Sequence, residues 1–267
     1  MPTRLPGSPT RTIRHGLLGN EPTAKLRSGI GPESDIVEVL AREPDLALAL
    51  DGLELEEARR ACRARTVTIA KGDWDPGAHH REPDGFGLFL LSGLVVRRVG
   101  RAGRFGAELL GPGDLLRPWQ TVGAFATRPF EPVWSVVAPA EVALLDAAFA
   151  RRAAPFPAVA VQLVDRAMLR SRHLALALAI VQQPRVDRRL HWLFWDLADR
   201  WGRTGPAGVR LELPLTHSLL GELVAARRPS VTTALAGLAA EGKVERDGAA
   251  WLLRGEPPAD YADLVAG

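Results

Sequence analysis

LLGELVAARRPSVTTALAGLAAEG, residues 219–242, is the stretch on which the reading of this chain turns. Val231, Leu235 and Leu238 stand at i, i+4 and i+7, one apolar stripe of a helix with a 3.6-residue period. Arg227 and Arg228 precede the stripe, and Pro229 falls in the first helical turn, where its missing N–H costs little. Arg228, Ser230, Thr233 and Ala236 then face away from the stripe. A helix that only fills a core has no use for paired arginines at its N-terminal edge. A helix end aimed at a polyanion does, because the helix dipole adds positive potential there.

The flanking segments give this helix a setting. Upstream, VDRRLHWLFWDLADRWG (186–202) reads as a helix with Val186, Leu190, Leu193, Leu197 and Trp201 on one face. VRLELPL (209–215) alternates as a strand does, and Thr216 is placed to cap the helix HSLLGELVA (217–225). Downstream, KVERDGAAWLL (243–253) reads as two short strands around Asp247-Gly248, a type I′ hairpin signal. Helix, strand, helix, tight turn, helix and two-stranded ribbon is the order of a winged helix-turn-helix. Such a unit presents its second helix to the DNA major groove N-terminus first. An arginine there donates two bonds to guanine O6 and N7, worth about 1–3 kcal/mol of base discrimination.

Further upstream the period changes. Ala160, Val164, Ala167, Ser171, Leu174, Leu178 and Val181 are spaced 4-3-4-3-4-3, the 3.5-residue seam along which two helices pair. Leu163, Met168, Leu169 and Leu176 fall outside the seam and are expected to cover the neighbouring sheet. Pro184 ends the helix. From residue 66 to 146 short apolar runs alternate with glycine turns: TVTIA, GFGLFLL, LVVRRV, AELL, VWSVV and EVALLD. That spacing predicts a small antiparallel barrel or sandwich, with Ser92-Gly93 as a two-residue hairpin. DIVEVLAREPDLALAL (35–50) and LEEARRAC (55–62) read as short helices. Residues 1–33, rich in Pro, Gly, Thr and Arg, read as a tail, and residues 256–267 as a second one.

Composition narrows the function classes. Of 267 residues, 46% are hydrophobic and 24% charged, as in globular proteins, and no run of about 18 apolar residues supports a membrane span. The N-terminal residues lack the apolar core of a signal peptide, so a cytoplasmic location is expected. A net charge of +3, supplied by arginine far more than lysine, permits nucleic-acid binding without establishing it. Cys62 is the sole cysteine, which excludes an intrachain disulfide, a four-cysteine iron–sulfur cluster and a cysteine-rich zinc site.

Taken in order, GFGLFLLSGLVVRRV with AELLGPGDLL, the heptad helix ending at Pro184, and LTHSLLGELVAARRPSVTTALAGLAAEGKVERDGAAWLL resemble the Crp/Fnr family of bacterial transcription regulators. The likeness covers residues 35–254. It implies an α+β chain: an N-terminal antiparallel β-roll of the cyclic-nucleotide-binding type (34–150), a long dimerisation helix (151–183) and a C-terminal winged helix-turn-helix (184–255). It implies double-stranded DNA, a second copy, RNA polymerase and a small-molecule effector as partners, with no cofactor, no metal and no catalytic residue. Arg228 matches the family's base-reading arginine, with Arg227, Ser230, Thr232 and Thr233 beside it, and Thr216 and His217 match its phosphate-contacting helix start. Thr233 stands where many members carry a longer polar base reader, and Pro229 where an acidic residue is common, so the target sequence differs from the usual one.

The effector segment also departs. Cyclic-nucleotide-binding members carry a Gly-Glu turn and then an Arg-Ser pair that holds the phosphate; here Phe130-Glu131 occupies the place of that pair. Burying an anionic phosphate without a paired cation is costly, which argues against cyclic AMP. Arg117, Trp119, Arg128 and Trp134 are the candidate lining of an effector pocket. Two rival readings are a dimeric ligand-binding or docking module without DNA binding, and a cupin-like metal enzyme. The latter needs His-x-His with a following Glu and a distant third His; His79-His80 are adjacent and would point to opposite faces of a strand.

Overall fold

The computed structural model describes residues 35–78, 84–101, 104–118 and 132–266. The fold is α+β. In chain order the elements are β1 (Ile36–Glu38), α1 (Val39–Arg42), α2 (Gly52–Ala61), β2 (Arg63–Ile69), β3 (Gly72–Trp74), β4 (Gly87–Arg101), β5 (Arg104–Leu110), β6 (Leu115–Leu116), β7 (Val133–Leu145) and α3 (Ala147–Ala153). The long α4 (Pro157–Gln182) and α5 (Val186–Trp201) follow, then β8 (Arg203–Gly205), β9 (Gly208–Leu211), α6 (His217–Leu223), α7 (Arg228–Ala240), β10 (Val244–Asp247), β11 (Ala250–Leu253) and α8 (Ala259–Ala266).

β7 is the spine of the first sheet. Its second half pairs with β2 (Thr66↔Ala143), its first half with β3 (Trp74↔Trp134), and its whole length with β4 (Gly87↔Leu145 to Arg98↔Val133), all antiparallel. The expected hairpin at Ser92-Gly93 is not a hairpin. β4 runs straight through it, with register shifts between Leu90 and Val95 that bend the pair into a roll. Gly93 is needed there for another reason. At φ +88, a Cβ would lie 2.3 Å from the carbonyl oxygen of Pro139, so only glycine fits where the strands press together. The N-terminal segment departs too: residues 36–38 form a strand on β2, and the helical period starts only at Val39.

From Leu88 to Val96, Ser92 and Gly93 apart, β4 is apolar because both of its faces are covered there. Leu88 and Leu90 point into the roll with Leu110, Leu116, Val142 and Leu144. Phe89 and Leu91 point the other way, onto Phe149, Val159, Leu163 and the N-terminal helices. A third cluster joins Leu94, Val96 and Leu109 of the sheet to Ile180 of α4 and to the apolar faces of α5, α6 and α7. At that junction Glu108 of β5 takes Arg170 of α4 at 2.7 and 2.9 Å and Arg97 of β4 at 2.7 Å. Asp114 takes Arg200 of α5 at 2.8 Å, and removing one member of such a buried pair costs about 3–5 kcal/mol.

α4 has two characters. Val159, Leu163 and Ile180 are buried against the sheet and α5, whereas Val164 is 57% exposed, Met168 61% and Leu178 67%. Met168 and Leu169 therefore do not cover the sheet as expected; they stand on the open side with Val161 and Leu174. Leu163 and Leu176 pack inward.

The second sheet runs β10-β11-β9-β8. The last hairpin turns at Gly248-Ala249, one residue later than expected, because Asp247 still pairs with Ala250. Gly248 has φ +59 and Ala249 has no positive φ, the pattern of a type II′ turn rather than type I′. Residues 259–266, expected as part of a tail, are the helix α8, and Tyr261 is buried edge-to-face against Trp192 at 5.9 Å with its hydroxyl donating to Asp199 at 3.2 Å.

Candidate nucleic-acid interface

α6 and α7 are held in place by local features. Thr216 caps α6: its Oγ1 accepts from the Leu219 amide at 3.2 Å. The turn to α7 uses Ala225 at φ +51, the one positive-φ non-glycine among the described residues. That conformation crowds Cβ against the following carbonyl and costs about 1–2 kcal/mol for an L-residue. The Ala226 amide closes the turn on the Gly221 carbonyl at 2.8 Å, so close that a Cβ on Gly221 would lie 2.6 Å from the Ala226 oxygen.

Arg189 of α5, which nothing in the sequence spacing singles out, supports the turn from below. Its guanidinium donates to the carbonyls of Val224 (3.1 Å), Ala225 (3.3 Å) and Gln183 (2.6 Å). It thereby satisfies orphan carbonyls at the end of α6 and ties them to the end of α4.

Val231, Leu235 and Leu238 bury their stripe on α5 and α6 as expected. The opposite side of α7 is open: Arg227, Arg228, Ser230, Thr232, Thr233 and Ala236 are all exposed. No acidic residue stands in the first turn, and Arg227 caps with backbone alone. Cations at a helix N-terminus oppose the dipole by about 0.3–1 kcal/mol, so stability does not account for arginines there.

The two threonines are partly occupied. Thr232 Oγ1 donates to the Arg228 carbonyl at 3.1 Å and Thr233 Oγ1 to the Pro229 carbonyl at 3.2 Å. The half-buried His217 brings its Nδ1 within 2.9 Å of Thr232 Oγ1, linking the start of α6 to α7. On the ribbon, Arg210 is bound to Asp247, Arg254 to Glu245 at 2.5 Å, and Arg246 lies 4.7 Å from the Trp251 ring centre.

The other candidate sites fare differently. Along the seam of α4, Val164, Ala167, Ser171, Leu174 and Leu178 are exposed, and Ala160 and Val181 partly so. Of the four candidate effector residues, two are described. Trp134 is core, packed edge-to-face with Trp74 at 5.9 Å, and Arg117 is exposed after β6. Trp119 and Arg128 lie outside the described residues, as do His79 and His80.

Between the sheet, α4 and α5 lies a small enclosed cavity lined by His173, Asp196, Arg170, Arg200 and Glu108. Burial, opposed by Arg200, lifts the Asp196 carboxyl to about 6. Burial, reinforced by Arg200 and Arg172, pushes His173 down to about 4, and its Nδ1 has no hydrogen-bond partner. Among the described residues no helix is long and apolar enough to cross a membrane.

Comparison with known proteins agrees with this architecture. Residues 186–254 match the Crp-like helix-turn-helix domain. The chain is similar in fold to FixK2 from Bradyrhizobium japonicum, with TM-score 0.55, 17% identity, and 75% of this chain and 96% of that one covered. It is similar to a mutant of CooA from Carboxydothermus hydrogenoformans, with TM-score 0.57, 14% identity and coverage of 88% and 97%. A transcriptional regulator of the CRP/FNR family from Thermus thermophilus gives TM-score 0.51, 18% identity and coverage of 76% and 98%. No curated protein matches by sequence.

Proposed function

We propose that this chain, which carries a Crp-like helix-turn-helix at residues 186–254, is a homodimeric transcription regulator that reads a palindromic DNA site with the N-terminal turn of α7. One observation carries the reading: Arg227 and Arg228 stand exposed at the helix end where the dipole disfavours them, on a domain matched to DNA-binding regulators. Arg228 reads a base edge, and Arg227 and Ser230 take phosphates. The Thr216 hydroxyl, which accepts from Leu219, keeps its own proton to donate to a phosphate, beside His217. Thr232 and Thr233 commit their protons to the helix backbone, so they offer an acceptor and a methyl surface rather than a donor.

The exposed side of α4, from Val164 to Leu178, pairs with the same side of a second copy. The pairing sets two α7 tips about 34 Å apart, the spacing of successive major grooves on one side of B-DNA. The protein acts in the cytoplasm by binding, not by catalysis. Its effector is a small molecule other than cyclic AMP, and RNA polymerase is the partner through which it acts on transcription.

Selection from a randomised duplex pool tests this, followed by affinity measurements at several salt concentrations. Enrichment of a two-fold symmetric sequence is expected, with log affinity falling by about 0.9 per phosphate neutralised for each log unit of salt. Enrichment of no sequence would refute the reading.

A further inference from the structure

At the start of α5, Arg185 pairs with Asp187 and Arg188 with Asp260, but Arg189 bonds only main-chain carbonyls among the described residues. Its acceptors are carbonyls that the chain leaves without a helical donor. Pro184 biases the residue before it away from the helical region, and Gln183 is extended, so its carbonyl turns out of α4. Val224 and Ala225 follow the last turn of α6, where carbonyls have no amide further along the helix to meet. One planar guanidinium serves both places: Nε donates to Gln183 at 2.6 Å, and Nη1 to Val224 at 3.1 Å and Ala225 at 3.3 Å. Among the described residues no other side chain hydrogen-bonds both the end of α4 and the turn before α7. α5 and α6 are bridged to the roll as well, through Arg200 to Asp114 at 2.8 Å and Glu222 to Arg98 at 2.5 Å. Those bridges join the domain to the roll, not to the helix along which two copies pair.

In the pairing proposed above the two-fold axis lies along α4, so the angle of α7 to α4 sets where each tip falls. One added base pair moves the second half-site about 3.4 Å along the duplex and about 35° around it. Shared between two copies, that is about 1.7 Å and about 17° for each tip. Apolar helix faces pack over a scatter of about 15–20° in crossing angle, so the cluster around Ile180, Leu190 and Leu235 does not by itself select one spacing. Hydrogen bonds weaken steeply away from their preferred line, and three of them converge on Arg189.

We propose that Arg189 is a positioning residue that fixes the angle of α7 to the stalk and so makes the protein selective for one spacing between half-sites. The proposal rests on the DNA reading above and adds a second kind of specificity to it. Arg228 selects a base, and Arg189 selects how far apart two such bases stand.

Two variants of the full chain test this: Arg189→Met, which keeps the stem and removes the donors, and Arg189→Lys, which keeps the charge but puts a point donor in place of the fork. The probes are the duplex selected by the parent, the same duplex with one base pair inserted or deleted between its half-sites, and one with a substituted half-site base. The parent is expected to bind the altered spacings about 100-fold more weakly and the variants only about tenfold more weakly, with the penalty for the substituted base unchanged. Should Arg189→Met melt early, Arg189→Lys, which still offers donors to the carbonyls, carries the comparison. A spacing penalty that stays at the parent's value in a folded variant overturns the assignment. An equal loss on every duplex also overturns it, marking Arg189 as a stabiliser of the fold alone. A parent that selects half-sites at no fixed spacing overturns it and leaves base reading standing, whereas a parent that selects no duplex overturns the DNA reading and the assignment together.

Discussion

Nδ1 of His217 and Oγ1 of Thr232 lie 2.9 Å apart, joining the first turn of α6 to the second turn of α7. The Thr232 hydroxyl already donates to the Arg228 carbonyl at 3.1 Å, so the ring supplies the proton between them. The angle between the two helices is thereby fixed from the exposed side, while Val231 and Leu235 fix it from the core. His217→Ala and Thr232→Val are each expected to lower stability by about 0.5–1.5 kcal/mol. In a double-mutant cycle the losses should be less than additive, as for any directly bonded pair. Full additivity in urea melts would show that the contact contributes nothing.

Ala225 holds a left-handed backbone under strain that glycine avoids. Ala225→Gly is expected to stabilise the chain by about 0.5–1 kcal/mol, offset in part by the entropy of an added glycine. For a chain of this size that is a rise of roughly 1–4 °C in melting temperature. A fall would mean that the turn does not hold this conformation in solution.

Charge at the tip of α7 sets stability against function. Arg228→Glu puts an anion where the dipole favours one and should raise stability by about 0.3–1 kcal/mol while abolishing DNA binding. Thermal melts and DNA titrations on one preparation separate the two effects. A variant that loses both stability and binding would place Arg228 among residues that hold the fold.

Two buried groups at the junction titrate in opposite senses. His173, held at about 4 against an ordinary 6.5, is neutral in the fold and gains a proton on unfolding, so its contribution is lost as pH falls from 6.5 towards 4. Asp196, raised to about 6 from 3.8, favours its protonated form in the fold, so its contribution is present at low pH and lost as pH rises through 6. Relative to the parent, His173→Gln should gain melting temperature between about pH 7 and pH 4.5, and Asp196→Asn should lose it. Offsets that stay constant across this range would contradict both assignments.

The helix-turn-helix was legible because its signals are local. The stripe of Val231, Leu235 and Leu238 and the cap at Thr216 need only the chain's own period and one hydroxyl, and the structure places each as read. The roll was less legible because a Gly in a strand serves a turn or a close approach equally well. Gly93 is resolved only by Pro139 and Ala140, 46 and 47 residues further along. Arg98, Arg189 and Glu222 act across long separations and look in sequence like ordinary surface charges. α8 was missed because its anchor, Tyr261, is recognisable only once Trp192 is beneath it.

The open side of α4 predicts an oligomer. Val164→Glu together with Leu178→Glu, both on exposed positions that the fold itself does not fill, should yield folded monomers by sedimentation. Loss of the paired half-site contact should weaken DNA binding by about 10²–10⁴-fold. An unchanged dimer mass would remove this face from the interface.

Base reading by Arg228 is the premise beneath the proposed function, and comparing the parent with Arg228→Ala on the selected duplex and its single-base-pair variants tests it without intermediaries. The parent is expected to discriminate at one position per half-site by about 1–3 kcal/mol, and the variant to bind all four base pairs there alike. If the variant keeps the parent's full preference at every position, base reading by this helix tip is contradicted.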